Sequence, residues 1–352
     1  MSPEDLDDIQ YLPAIRSRQA ELRGYSRLRD TTKAGLRPLV SIGKLGKVDQ
    51  PERLMEAVRE SIDQEGFVDL NTNPGQTCAG FERLCDPTGD YAAWRGLFNN
   101  DSALTPVALL RDNATERPFV RQVLRIERDH NVVAIRSRRP AQELPILQAA
   151  LSAVDDVNNL LVVLDFGYVR PSLAAKEQEA LRVISALRTV DETTRIVIMG
   201  SSFPRSVSAF GDSRGNLDII ERDLHARIGG DDVAIYGDHA SIYPEPFEPQ
   251  ISRFVPRIDY CLQEAWLYER RRTDDGGYVA CARSLVASPD WEESFAGLAW
   301  GADMIRQTAQ NGAAPAGFNA PSNWIAARVN MHIERQIDVA GTQAEDEFED
   351  ED

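Results

Sequence analysis

Short apolar runs recur along the chain and set the expectation for its fold. Residues 11–15, 38–42, 67–70, 106–110, 132–135, 160–164, 196–199 and 233–236 are rich in β-branched residues or leucine, and Pro, Gly or polar residues bound them. Most lack polar alternation, as parallel strands covered on both faces do. Helix-compatible stretches at 19–33, 51–64, 81–98, 116–128, 142–154, 173–189 and 217–227 lie between them. Asp49-Gln50-Pro51 and Pro171-Ser172 supply helix-start chemistry before two of these. Strand starts recur at intervals close to the ~30 residues of one βα unit. Eight such units predict an α/β fold, a TIM-like (β/α)₈ barrel; a doubly wound open sheet is the competing arrangement.

After the eighth run the pattern changes. Residues 257–269 alternate large groups on one side, Asp274-Asp275-Gly276-Gly277 reads as a turn, and 278–286 reads as a second β-run. This predicts a β-hairpin inserted after strand eight, on the rim of the barrel, and a closing helix at 292–310. Residues 1–339 are expected to form one domain, followed by a disordered acidic tail at 340–352.

Charge sharpens the picture. There are 39 basic and 56 acidic residues, a net charge of −17, and seven of the acids fall within 345–352. Duplex-DNA binders present basic patches to phosphate, so duplex nucleic acid is not the expected partner. Thirty-five of the basic residues are Arg; only Lys33, Lys44, Lys47 and Lys176 are Lys. The four cysteines have no zinc-ligand spacing, the N-terminus is acidic, and no apolar run is long enough to cross a bilayer. A reduced, cytoplasmic protein off the membrane is the expectation. Phosphate-loop, dinucleotide-fold, zinc-protease and nucleophile-elbow motifs do not occur in the sequence.

Several segments resemble the phage beta-protein family, a group of proteins of similar length met in phages and bacterial genomes. Tyr11-Leu12-Pro13-Ala14-Ile15-Arg16-Ser17-Arg18-Gln19-Ala20-Glu21 is similar to its Pro-containing strand, two basic residues and Gly-Glu, with Ala20 in the glycine's place. Arg37-Pro38-Leu39-Val40-Ser41-Ile42 resembles its second strand, Ser41 standing where an acid is usual. Val163-Leu164-Asp165, Tyr236-Gly237-Asp238-His239, and Trp324 with Asn330-Met331-His332-Ile333 continue the likeness, Met331 replacing a histidine. The resemblance implies a barrel-like fold in a phage-related setting and brings no reaction with it.

In α/β barrels the active site gathers at the C-terminal strand ends. The residues there are Arg16 and Arg18, Ser41 and Lys44, Asp69 and Asn71, Arg111, Arg136 and Arg138, Asp165 and Tyr168, Ser201 and Ser202, and Asp238 and His239. Arginines from separate loops suit a small anion or nucleotide held by forked hydrogen bonds. Arg16, Arg18, Arg111, Arg136 and Arg138 are the candidates, with Glu21, Asp69, Tyr168, Ser201 and Ser202 beside them. Asp165, Asp238 and His239 are the candidate catalytic groups. Asp165 and Asp238 are also candidate ligands for a divalent cation such as Mg or Mn. Glu264, Trp266 and Tyr268 would close over the site from the hairpin. The reaction this assembles is metal-assisted phosphoester hydrolysis. The alternative is a non-catalytic sensor or interaction protein in phage–host conflict, using the same pocket or the acidic tail to meet a protein partner. Three bland arrangements compete at the residue level: a structural ring of ion pairs at the rim, a polar contact for His239, and Trp266 and Tyr268 as hairpin core.

Overall fold

The computed structural model describes residues 1–99, 101–246 and 254–349, with side chains through 339. Eight parallel strands close a barrel: β1 (Tyr11–Arg16), β2 (Leu39–Ile42), β3 (Gly66–Leu70), β4 (Leu104–Ala108), β5 (Val133–Ser137), β6 (Leu160–Tyr168), β7 (Arg195–Ser201) and, after the outlying β8 (Arg214–Asp218), β9 (Ile235–Asp238). Closure comes where β9 pairs with β1, in the register Tyr11↔Tyr236 to Pro13↔Asp238. This is the expected (β/α)₈ architecture. All eight expected strands exist, with ends moved by a few residues.

Pleating divides the strand residues into two sets. Leu12, Ala14, Leu39, Phe67, Val107, Ala134, Leu161, Val163, Val197 and Met199 form one buried cluster, which Leu6 and Ile9 of the N-terminal segment join. It fills the barrel interior. The alternate residues, such as Tyr11, Ile15, Val40, Val68 and Tyr236, pack with the surrounding helices. This two-sided burial explains why the strands read as continuous apolar runs.

Two expected helices are broken. The stretch 19–33 forms Gln19–Ser26 and Asp30–Ala34, and 81–98 forms Phe81–Leu84, Ala92–Arg95 and a 3₁₀ turn. The expected helix at 217–227 begins only at Ile220, because Arg214–Asp218 is a strand. β8 pairs antiparallel with β11 (Ala265–Arg270), which pairs with β10 (Arg257–Cys261). Only Leu217 of β8 is buried, so it carries no apolar signal.

The hairpin after the eighth barrel strand is present, but its arms are β10 and β11, joined at Leu262–Glu264. The expected second arm, 278–286, lies in the helix Gly277–Val286. Tyr278, Cys281, Ala282 and Leu285 are its buried positions, a helical spacing that fits one face. The closing helix is split into Glu293–Leu298 and Trp300–Asn311. A last helix, Pro321–Glu349, packs against Gln19–Ser26 and β10. Of the acidic tail expected to lack structure, the side chains from 340 and residues 350–352 lie outside the described residues. No helix among the described residues is long and apolar enough to cross a membrane.

Candidate functional site

The pleat decides which strand-end groups reach the barrel mouth. Arg16 follows Leu12 and Ala14 on the inward side of β1, Ser41 follows Leu39, and Asp69 follows Phe67. Arg136 and Arg138 continue the side of Ala134, and Asp165 that of Leu161 and Val163. Asp238 has the opposite parity, shared with the outward Tyr236, while the next residue, His239, returns to the inside. A cavity of about 290 Å³ at this end is lined by Arg16, Glu21, Arg136, Arg138, Asp165, Lys176 and His239, among others.

These groups hold one another. The Arg136 guanidinium donates through Nε (3.0 Å) and Nη2 (2.8 Å) to Asp165 Oδ2, and through Nη1 to Ser41 Oγ (3.0 Å) and Asp69 Oδ2 (3.3 Å). Arg138 Nη2 donates to the same Asp69 oxygen at 2.5 Å. Asp165 Oδ1 accepts from His239 Nε2 (3.0 Å) and from the Gly167 N–H (2.9 Å), presented by a bulge in β6 with Gly167 at φ +61°. Burial alone would raise the Asp165 pKa, but His239 and Arg136 outweigh it and hold the carboxyl well below its usual range. An ionised carboxylate only accepts, so His239 Nε2 donates and Nδ1 is the ring nitrogen left for a ligand. Arg16 forks onto Glu21, with Nη2–Oε1 at 2.7 Å, and Glu21 also accepts the Arg16 N–H. The expected ring of ion pairs is therefore built.

The pairing leaves donors over. Arg138 spends one N–H on Asp69 and is about a third exposed. Lys176, in the first turns of Leu173–Arg188, has no hydrogen bond or ion pair to a described residue; its ammonium lies 5.8 Å from the Phe166 ring centre. It was missed because it is four residues inside a helix. The available signal was its rarity, one of four lysines in a chain with 35 arginines. Tyr243, also missed, lines the same cavity.

Several expected site residues lie elsewhere. Asp238 is fully buried outside the cavity, and its four acceptor positions are filled: Tyr11 Oη (2.6 Å) and the Ala240 N–H (2.7 Å) on Oδ1, Tyr236 Oη (3.0 Å) and His332 Nε2 (2.7 Å) on Oδ2. Burial would raise its pKa, but His332, Tyr11 and Ala240 outweigh it and hold it at about 2. Trp266 donates from Nε1 to His332 Nδ1 at 3.2 Å. Indole N–H only donates, so His332 Nδ1 accepts from Trp266 while Nε2 donates to Asp238. Asp165 and Asp238 therefore do not meet as a metal pair, and both are saturated by hydrogen-bond donors. Among the described residues there is no cluster of three His, Cys, Asp or Glu that could hold a metal.

The hairpin residues do not cover the mouth either. Trp266 and Tyr268, two apart on β11, both turn to the buried face of the side sheet; the Tyr268 hydroxyl donates to the carbonyls of Val207 and Gly211. Glu264 sits exposed in the β10–β11 turn, where its carbonyl accepts from Ile219. Ser201 and Ser202 are buried and committed, Ser201 Oγ to the Ile242 carbonyl and Ser202 Oγ to that of Asp218. Arg111 is paired with Glu82 over the Phe81 ring, away from the cavity. Tyr168 meets the mouth only through an edge-on contact with Tyr243. Arg18 lines a neighbouring chamber instead.

Two comparisons with known proteins bear on this chain. Residues 11–338 match the family model described as Beta protein. Protein beta of Enterobacteria phage P4 is 32% identical over 340 residues, 95% of this chain and 94% of that protein.

Proposed function

The chain belongs to the Beta protein family, and from that premise we propose that its barrel mouth binds a small phosphorylated ligand. One observation carries the reading. Arg16, Arg136, Arg138, Lys176 and His239 come from four separate stretches of chain and face one concavity of about 290 Å³. That volume falls just under the about 300–1,000 Å³ of drug-sized ligand sites, which suits a small ligand. Arg136 is the fixed centre, spent on Asp165 and Asp69. Arg138 and Lys176 are the donors left to meet phosphate oxygens through charge-assisted hydrogen bonds, and His239 Nδ1 is the acceptor left beside them.

The test is titration with inorganic phosphate and thymidine 5′-monophosphate, without added metal, by calorimetry and thermal shift. Arg138→Gln and Lys176→Gln should each weaken binding about tenfold, the size of one lost hydrogen bond to a charged group. No binding by either probe, or binding indifferent to both substitutions, ends the proposal.

Phosphoester hydrolysis at this mouth would run through His239, held at Nε2 by Asp165: Nδ1 takes a proton from the attacking water as its oxygen bonds to phosphorus, the P–O bond to the leaving alkoxide breaks, and Nδ1 returns the proton to that alkoxide. A metal-assisted route has no support from the carboxylates. The second reading, a non-catalytic sensor in phage–host conflict, is favoured by one feature: Asp165 and Asp69 are each fully engaged by donors and neither is left as a base. It would act in the cytoplasm, with the acidic tail as a protein contact and residues 1–339 as one domain. Turnover of bis(p-nitrophenyl) phosphate that vanishes in His239→Ala decides for the enzyme; none in the parent protein decides for the sensor.

A further inference from the structure

A second chamber, of about 630 Å³, adjoins the mouth, and Arg16, Glu21, Ile242 and Tyr243 line both. In a chain of net charge −17 its lining is strongly basic: Arg18, Lys44, Arg205, Arg257 and Arg328 join Arg16, and among the described residues Glu21 is the one acid that lines it. That acid is already forked onto Arg16. Arg257 and Arg328 are tied to Asp259, at 3.1 and 2.7 Å, and Arg328 lies over the Phe203 ring at 4.0 Å. Arg18 and Lys44 differ, since among the described residues no hydrogen bond or ion pair engages either side-chain head. Partial desolvation and the neighbouring Arg16 charge lower the Arg18 pKa, so an anion there would relieve a like-charge repulsion.

Resting on the reading of the mouth as a phosphate site, we infer that the two cavities take one linear ligand with two separated phosphates, of dinucleotide size. One phosphate sits in the mouth and the other against Arg18 and Lys44, across the Arg16–Tyr243 boundary. Linking the two anions makes the second contact intramolecular and raises affinity without a new kind of interaction. A duplex is excluded by the size of the chamber and by the charge of the body around it.

The experiment compares thymidine 5′-monophosphate with 5′-phosphorylated dithymidine on the full chain by calorimetry at two salt concentrations. The two-phosphate probe should bind at least tenfold tighter and lose affinity more steeply with salt. Arg18→Gln with Lys44→Gln should bring it down to the monophosphate's level; both residues are exposed, and a thermal melt checks that the variant folds. Arg138→Gln should weaken both probes. Equal affinity of the two probes, or a tighter two-phosphate complex that survives the double substitution, overturns this inference and leaves the mouth reading standing. If neither probe binds, both fall.

Discussion

Two buried aspartates, each at the end of a barrel strand and each ringed by four donors, do different work. Asp165 faces inward and takes its donors from Arg136, His239 and the β6 bulge, at the floor of an open cavity. Asp238 faces outward and takes its donors from two tyrosines, the Nε2 of a buried histidine and a backbone N–H, with no opening to solvent. It ties β1, β9 and the last helix together where the barrel closes. The strained turn after it, with Ala240 at φ +47° and Ser241 at φ +62°, brings an N–H back to Asp238 and aims His239 inward. The comparison teaches that a carboxylate's partners separate a joint from a site. Donors with nothing to spare and no cavity make a joint; cations with spare N–H groups at a cavity make a place for an anion.

The largest effect should come from breaking the joint. Asp238→Ala strands four buried donors at once, and at about 1–3 kcal/mol for each unsatisfied group the loss should reach about 5 kcal/mol, read as a lower urea midpoint and Tm. Its pKa is depressed to about 2 in the folded chain, below the ordinary 3.8, so its stabilisation is present above pH 4 and fades as pH falls towards 2. Parent and variant melts should converge over that window; a constant difference would contradict the assignment.

Asp165→Asn should cost about 3 kcal/mol, because it leaves the buried Arg136 short of its counter-charge. It should also weaken phosphate binding, which Asp238 variants that still fold should not do selectively. Glu221, beside Asp238, gives the opposite sign. Burial and the Asp238 charge push its pKa up to about 7, so it costs stability as pH rises from about 4.5 through 7. Glu221→Gln should therefore raise Tm at pH 8 and leave it nearly unchanged at pH 4.5; equal shifts at both would sink this reading.

Trp266→Phe removes the donor to His332 Nδ1. A loss of about 1 kcal/mol is expected, the size of one buried hydrogen bond, read as a lower Tm. Arg111→Ala marks the bottom of the scale. Its pair with Glu82 is exposed and off the cavity, so the cost should stay under about 1 kcal/mol with phosphate affinity untouched.

The barrel was legible in the sequence because two-sided burial writes itself as eight apolar runs at regular spacing. Arg16, Arg136, Arg138, Asp165 and His239 were legible as well, since strand ends are where a barrel puts its mouth. The pleat was readable in principle: with Ile235 and Gly237 inward, Asp238 must face out and His239 in. What no local pattern carried was β8, whose polar residues become a strand only by pairing with β11, and the helix at Gly277–Val286, whose turn-like glycines precede a helical face. The meeting of Lys176 with the mouth, of His332 with Asp238, and the chamber behind Arg18 belong to the same class. Sequence periodicity reports which faces are buried, because burial selects residues one at a time. Which buried acid meets a cation at a cavity, and which meets a tyrosine in a wall, depends on segments far apart in the chain arriving at one point, and only the tertiary structure brings them there.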